Sequence, residues 1–164
     1  MNAGIGENPN REPCPDCLKL GKQLCFPLYA CSREIVKKYK PYLDKLGLTY
    51  TQYITMMVMW ERRQMSVKEL GECLLLDSGT LTPLLKKLEQ KGFVTRKRAH
   101  TDERILIVTL TEKGKQLAAK AVSIPDQMRS SLPLTEEEIR LLHSLLYKML
   151  SKTIRGEAPK RQSP

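Results

Sequence analysis

The residues of this chain best suited to redox chemistry are its five cysteines, and their spacing sorts them. Cys14-Pro15-Asp16-Cys17 is a CxxC pair. No second CxxC or nearby histidine completes a zinc set, and no βαβ pattern supports a thioredoxin-like site. The pair therefore implies no dedicated role, with a redox accessory or an adventitious metal as the alternative. Cys25 stands two residues before Pro27. A proline is comfortable only in the first turn of a helix, so either a long helix bends here or a new one begins near Phe26. In the second case Cys25 lies at a helix N-terminus, where the partial positive charge favours a thiolate, the reactive form. Cys31 follows six residues on, and Cys73 reads as inert core, in keeping with the burial habit of free cysteine.

A second set of chemistry-bearing residues lies between Ser78 and Gly114. Leu81, Leu84, Leu85 and Leu88 recur three and four apart, as one face of a helix does, with Asp77 or Ser78 to cap its start and Gly92 to stop it. The opposite face carries Ser78, Thr80, Thr82, Lys86, Lys87 and Lys91, hydroxyls in front and ammoniums behind, a layout suited to base edges and phosphates. A row of lysines alone is as often a solvated helix face. Here it is followed by a predicted hairpin: a basic stem holding Arg96, Lys97 and Arg98, a polar loop over Ala99 to Arg104, and a β-branched strand over Ile105 to Leu110. A basic hairpin directly behind such a helix predicts a winged helix-turn-helix that binds nucleic acid, with Arg96 and Arg98 among its contacts.

The elements needed to position these residues are mostly helical. Leu18 to Leu46 is expected to be mostly helix, with Leu20, Leu24, Leu28, Cys31, Ile35 and Tyr39 on one apolar stripe that faces another surface such as a second subunit, and with a break or bend at Lys40-Pro41. Thr49 to Arg62 is an amphipathic helix, dense in Met and holding the single Trp, whose role is core packing. Ser66 with Glu69 forms a capping box that opens a short helix to about Leu74, the first of the helix-turn-helix. Thr111 caps a helix through Val122, Pro125 and Pro133 interrupt, and Thr135 with Glu138 opens a last one carrying Ile139, Leu142, Leu145, Leu146, Met149 and Leu150. His143, among those leucines, reads as structural. The expected fold is mainly α with a small β-hairpin wing, a winged helix-turn-helix with terminal dimerisation helices. Its expected parts are a flexible N-terminal arm (1–17), sensor and dimerisation helices (18–48), the DNA-binding domain (49–112), further dimerisation helices (113–155) and a tail (156–164).

Composition bounds the function. A chain of 164 residues leaves no room for a second, catalytic domain, and the formal charge of +10 favours a polyanionic partner. Its longest apolar runs, such as Ile54 to Trp60, are too short to span a bilayer, and no signal peptide opens the chain, so a cytoplasmic protein with no membrane partner is expected. In that compartment thiols are normally reduced. No cofactor and no metal site are implied, and an enzyme is not expected.

The order helix, helix-turn-helix, wing, helix, with Asp102-Glu103-Arg104 followed by Val108 to Gly114, resembles the MarR family of winged-helix regulators. More narrowly, Gln23-Leu24-Cys25-Phe26, Leu28-Tyr29-Ala30, Leu48-Thr49-Tyr50, Gln52-Tyr53 and Leu76-Asp77-Ser78-Gly79-Thr80-Leu81-Thr82-Pro83-Leu84 resemble the organic hydroperoxide resistance regulators, over about Leu20 to Lys152. The resemblance implies a redox-sensing repressor that binds double-stranded operator DNA as a homodimer and leaves it on oxidation. It makes Cys25 the reactive cysteine, converted by an organic hydroperoxide to a sulfenic acid. Tyr29 and Tyr39 would hydrogen-bond that sulfur across the dimer and Tyr50 would line the same region. Asp102 and Arg104 become wing residues, with Arg104 in the minor groove. Pro27 departs from the family by replacing a usual helix former beside the sensor, and no cysteine falls between 111 and 155 to act as a distant resolving thiol. The chain thus resembles the one-cysteine type, whose sulfenic acid awaits a low-molecular-weight thiol, with Cys14 or Cys17 as the other resolving candidates. Two other functions compete: a MarR-type regulator responding to a small phenolic ligand, and a small thiol peroxidase with Cys25 as nucleophile. A wing and a charge of +10 serve no peroxidase, and no His or Arg is plainly placed to activate Cys25.

Overall fold

The structure, a computed structural model, describes residues 15–99 and 102–154, with side chains as far as Ser151. Cys14, half of the CxxC pair, and the expected C-terminal tail lie outside the described residues, as do His100 and Thr101 of the loop between the hairpin strands. The chain divides after Val122 into two units, each described here by itself.

The first unit opens with two 3-10 turns, Asp16–Leu18 and Leu20–Lys22, at the start of the segment expected to be mostly helix. Helix α1 (Cys25–Leu46) begins at Cys25 itself, so the second of the two alternatives at Pro27 holds: the proline sits in a first turn, where its missing amide costs nothing. No break occurs at Lys40-Pro41, since Pro41 lies inside α1. The turn after it is anchored by Leu43 and Leu46, both buried, which offset the hydrogen bond that Pro41 cannot make. Gly47, at φ +64°, ends the helix in the left-handed conformation that glycine adopts without strain, and its amide donates to the Asp44 carbonyl at 3.0 Å.

Thr49 caps α2 (Tyr50–Arg62) through a full capping box with Gln52. Then come β1 (Gln64–Ser66), α3 (Val67–Leu74), α4 (Ser78–Gln90), β2 (Val94–Arg98), β3 (Leu106–Leu110) and α5 (Glu112–Ala121). The hairpin β2–β3 is the predicted wing, with Arg96 opposite Val108 and Arg98 opposite Leu106. The strand β1 was not expected. It pairs antiparallel with β3, giving the order β1-β3-β2, and its three residues are too few to show an alternating pattern of their own.

The core lies where α2, α3, α4 and the sheet meet. Met56 and Met59 are fully buried, as are Leu70, Leu88 and Val108, with Leu81, Leu85 and Val94 nearly so. Truncating Leu88 to alanine should cost about 2–5 kcal/mol, read from chemical denaturation. Cys73 corrects its expected place: it is exposed. Helix α3 buries only a narrow stripe centred on Leu70, with Gly71 and Leu74 half-buried, and Cys73 falls outside it.

At the junction of wing and α5, Thr111 caps the helix by accepting from the Gly114 amide at 3.0 Å, while its hydroxyl donates to the Gly92 carbonyl at 2.6 Å. Gly114 is buried so tightly here that an added Cβ would stand 2.2 Å from the Phe93 carbonyl oxygen.

The second unit holds α6 (Ile124–Ser130), with Pro125 in its first turn, and α7 (Glu136–Ile154). The Thr135 capping box forms: the Thr135 amide donates to Glu138 at 2.8 Å, and Arg129 pairs with Glu136. Leu141, Leu142, Leu145, Tyr147, Met149 and Leu150 of α7 are exposed, and His143 stacks on Tyr147 at 4.5 Å between ring centroids.

Candidate nucleic-acid interface and reactive cysteine

Helix α4 presents the expected face. Its four leucines, Leu81, Leu84, Leu85 and Leu88, are buried, which turns Ser78, Thr80, Thr82, Lys86 and Lys87 to the exterior. Asp77 caps the helix, accepting from the Thr80 amide and the Thr80 hydroxyl, both at 2.9 Å, and these bonds hold its carboxyl below the usual range. The Thr82 hydroxyl donates to the Ser78 carbonyl at 2.7 Å. Both threonine protons are thus used within the protein, which leaves the two hydroxyl oxygens with acceptor capacity.

Lys91 belongs elsewhere. It is half-buried and donates to the Gly47 carbonyl at 2.5 Å and to Gln52 Oε1 at 2.9 Å, tying the end of α4 to the α1–α2 turn. Its expected place on the outer face does not survive: Lys91 keeps helical backbone angles and follows Leu88 by three residues and Leu84 by seven, so the helical period sets it on the leucine side.

In the wing, Arg96 is also committed within the protein. Its Nε and Nη2 donate to Glu89 Oε2 at 3.0 and 2.7 Å, and its backbone amide donates to Glu89 Oε1 at 3.0 Å. Arg96 thus holds the Glu89 carboxyl below its ordinary value. Because the folded value is lowered, this link contributes at neutral pH and is lost only as pH falls through that lowered value. Arg98 donates to the Glu103 carbonyl across the loop, while Asp102 accepts from the Arg104 amide at 2.9 Å, which sets the turn that projects Arg104. Arg104 is exposed and lines, with Ser78, Leu75, Leu81 and Ile105, a groove of about 810 Å³ between the helix-turn-helix and the wing. The start of α4 and the wing arginine are therefore brought to one place.

Cys25, the first residue of α1, is exposed. Tyr29 lies one turn further along the same face and is exposed; its hydroxyl accepts from Arg33 Nη1 at 3.2 Å, with the guanidinium 5.4 Å from the ring centre. Tyr39 is 14 residues beyond Cys25 in the same helix, about 21 Å at 1.5 Å per residue. It stacks instead on Tyr50, at 5.0 Å between centroids, and on Tyr53, at 5.8 Å. Burial pushes the phenols of Tyr39 and Tyr50 up and that of Tyr53 to about 12, so all three stay protonated donors at neutral pH. One chain thus brings Tyr39 to Tyr50 but leaves Cys25 and Tyr29 apart from them. Tyr53, whose ring also meets that of Trp60 at 6.1 Å, was not singled out as a site residue; its spacing of three from Tyr50 is the signal that sets both on the side of α2 that meets Tyr39. Trp60 in turn donates from Nε1 to the Gly114 carbonyl at 2.9 Å.

Comparison with known proteins agrees with this geometry. Residues 37–121 match the family model described as transcriptional regulator SarA/Rot. The chain is 50% identical over 135 residues to the organic hydroperoxide resistance transcriptional regulator of Bacillus subtilis, covering 82% of this chain and 92% of that protein. It is 46% identical over 133 residues to the HTH-type transcriptional regulator SarZ of Staphylococcus epidermidis, covering 81% and 90%. Among solved structures it superposes on reduced AbfR bound to DNA with a TM-score of 0.70 at 37% identity, covering 82% of this chain and 94% of that one; AbfR is a Staphylococcus epidermidis protein. With its recognition helix, wing and capping pattern in place, the chain belongs to the MarR-type winged-helix transcriptional regulators, in the group that holds the organic hydroperoxide resistance regulators and the SarA/Rot proteins.

Proposed function

We propose that the chain is a redox-sensing repressor that binds double-stranded operator DNA as a homodimer and is released when an organic hydroperoxide oxidises Cys25. The observation that carries this reading is the separation of the sensor parts: an exposed Cys25 at one end of α1 and protonated Tyr39 and Tyr50 about 21 Å away. A second copy running antiparallel along α1 would bring its Tyr39 to the thiol. Exposed Leu20, Leu24, Phe26 and Tyr29 supply surface for such a dimer. The organic hydroperoxide in the name of the 50% identical Bacillus subtilis relative supports the choice of oxidant.

In the reduced dimer the phenols of Tyr29 and Tyr39 donate to the Cys25 sulfur, and Tyr50 packs behind them. The thiolate attacks the distal oxygen of the hydroperoxide; the O–O bond breaks, the sulfur becomes a sulfenic acid, and the alkoxide takes a proton to leave as the alcohol. Condensation with a low-molecular-weight thiol then forms a mixed disulfide and releases water. Added bulk at the α1 seam would move the two subunits, and the two α4 helices would lose their spacing on the operator. At the DNA, Ser78, Thr80 and Thr82 address the major groove, Lys86, Lys87 and Arg98 the phosphates, and Arg104, turned by Asp102, the minor groove. No helix among the described residues is long and apolar enough to cross a membrane, in keeping with a DNA-bound protein of the cytoplasm.

The test is a mobility shift on DNA upstream of the chain's own gene, reduced and then treated with an alkyl hydroperoxide, with mass spectrometry of Cys25. Release with an oxidised or thiol-capped Cys25 is expected. A link from Cys25 to Cys14 or Cys17 would replace the small thiol in the scheme, and catalytic turnover of hydroperoxide without any shift would make the chain a thiol peroxidase. Arg104→Ala should weaken operator binding and lower the slope of log K against log salt by about 1 per subunit, measured by titration at several salt concentrations.

A further inference from the structure

Glu89 is placed where the stability of its own helix gives no reason for it. It sits in the last turn of α4, the negative end of the helix dipole, where a carboxylate is the wrong sign. The hydrogen bonds of its carboxylate instead go to one residue of the wing: Oε1 accepts from the Arg96 backbone amide and Oε2 from the Arg96 guanidinium. The attachment therefore holds both the strand and its side chain. Arg96 is the middle residue of β2, opposite buried Val108, and its side chain is only 16% exposed, with its guanidinium held by Glu89.

We propose that Glu89 is the positioning residue of the wing, fixing the angle at which β2 and β3 leave the recognition helix, so that Arg104 reaches the DNA only while the Glu89–Arg96 link holds. This rests on the operator-binding reading above and adds to it a residue that does not touch DNA. Its effect is on where the wing points: β2 and β3 are paired over five registered positions, so a change of angle at Arg96 is carried to the loop that holds Asp102 and Arg104. The competing role for Arg96 is a phosphate contact, made if DNA draws it off Glu89.

A double-mutant cycle in operator affinity separates these, with Glu89→Ala, Arg96→Ala and the pair measured at several salt concentrations, alongside hydroxyl-radical footprints and thermal melts. Each single variant and the double are expected to lose about the same, roughly tenfold, as members of one link do. Protection of the minor groove flanks should disappear while the major-groove protection from α4 remains. If Glu89→Ala binds as well as the unaltered chain while Arg96→Ala alone lowers the salt slope, Arg96 is a phosphate ligand and the proposal fails. A uniform loss of the whole footprint together with a lower melting temperature also overturns it, since the link would then serve only stability. Should either alanine variant fail to fold, Glu89→Gln, which keeps an acceptor for the backbone amide, decides by the same footprint: lost flanks support the role and intact flanks refute it. If the unaltered chain does not bind the operator, the operator-binding reading falls, and the proposal with it.

Discussion

The Cys25→Ser chain is expected to bind its operator as tightly as the reduced protein and to stay bound when an alkyl hydroperoxide is added, under conditions where the unaltered chain weakens by about 5–150-fold. Cys25 is exposed in the single chain and sits at the first position of α1, so exchanging sulfur for oxygen disturbs no core contact. A serine hydroxyl has no nucleophilic anion at neutral pH and no sulfenic acid to form, so the chemical step is removed while the phenolic donors and the DNA-binding face stay. Cys17, Cys31 and Cys73 remain exposed in that variant, which makes the comparison a test of Cys25 against its neighbours as well as against peroxide in general. Fluorescence anisotropy of labelled operator, before and after peroxide, reads the result. Release of the serine chain at the same peroxide dose would assign the sensing to another residue, and release only by a phenolic compound would make the chain a ligand-responsive regulator.

The largest effect on stability is expected at Gly114. Replacing it by alanine puts a methyl 2.2 Å from the Phe93 carbonyl oxygen and 2.7 Å from Leu110 Cδ1. The carbonyl cannot yield easily, because it is backbone, accepts from the Thr111 amide at 3.1 Å, and shares the Thr111 hydroxyl proton with the Gly92 carbonyl, at 3.0 and 2.6 Å. Helix α5 would have to back away from the wing, breaking the Thr111 cap and the Trp60 bond to the Gly114 carbonyl. Overpacking against immobile backbone and loss of a cap place the cost at about 3–5 kcal/mol. At roughly 2–4 °C per kcal/mol this lowers the melting temperature by about 10 °C. Gly21→Ala is the control, since nothing lies within 4 Å of its added Cβ and no change is expected. A Gly114→Ala melt within about 2 °C of the parent would show that α5 and the wing are free to separate.

The fold is written in the chain where local rules act alone. Capping residues Thr49, Ser66, Asp77, Thr111 and Thr135 mark helix starts through bonds to amides three residues on, and these need only a few adjacent residues to be recognised. The leucine period of α4 likewise tells which face meets the core. What escaped notice depends on distant partners. The strand β1 exists because β3 is there to pair with it, and Pro41 is carried inside α1 because Leu43 and Leu46 find a core. The intramolecular partners of Lys91 and Arg96 were not legible, since Gln52 lies 39 residues from the one and Glu89 seven from the other, separations at which no periodicity links a pair. Cys73 was placed inside by the habit of its type, yet an eight-residue helix has too narrow a buried stripe to include it.

The single indole of the chain is hydrogen-bonded, through Nε1, to the carbonyl of the glycine on which α5 closes against the wing, and its ring touches the Tyr53 end of the aromatic row. Indole emission shifts in colour and intensity with the polarity around the ring and with what its N–H meets. Any rearrangement that passes from the tyrosines to the wing joint must therefore change the intrinsic fluorescence of Trp60, and the protein carries an unlabelled optical gauge of its own switching, readable in a stopped-flow cuvette with no DNA present.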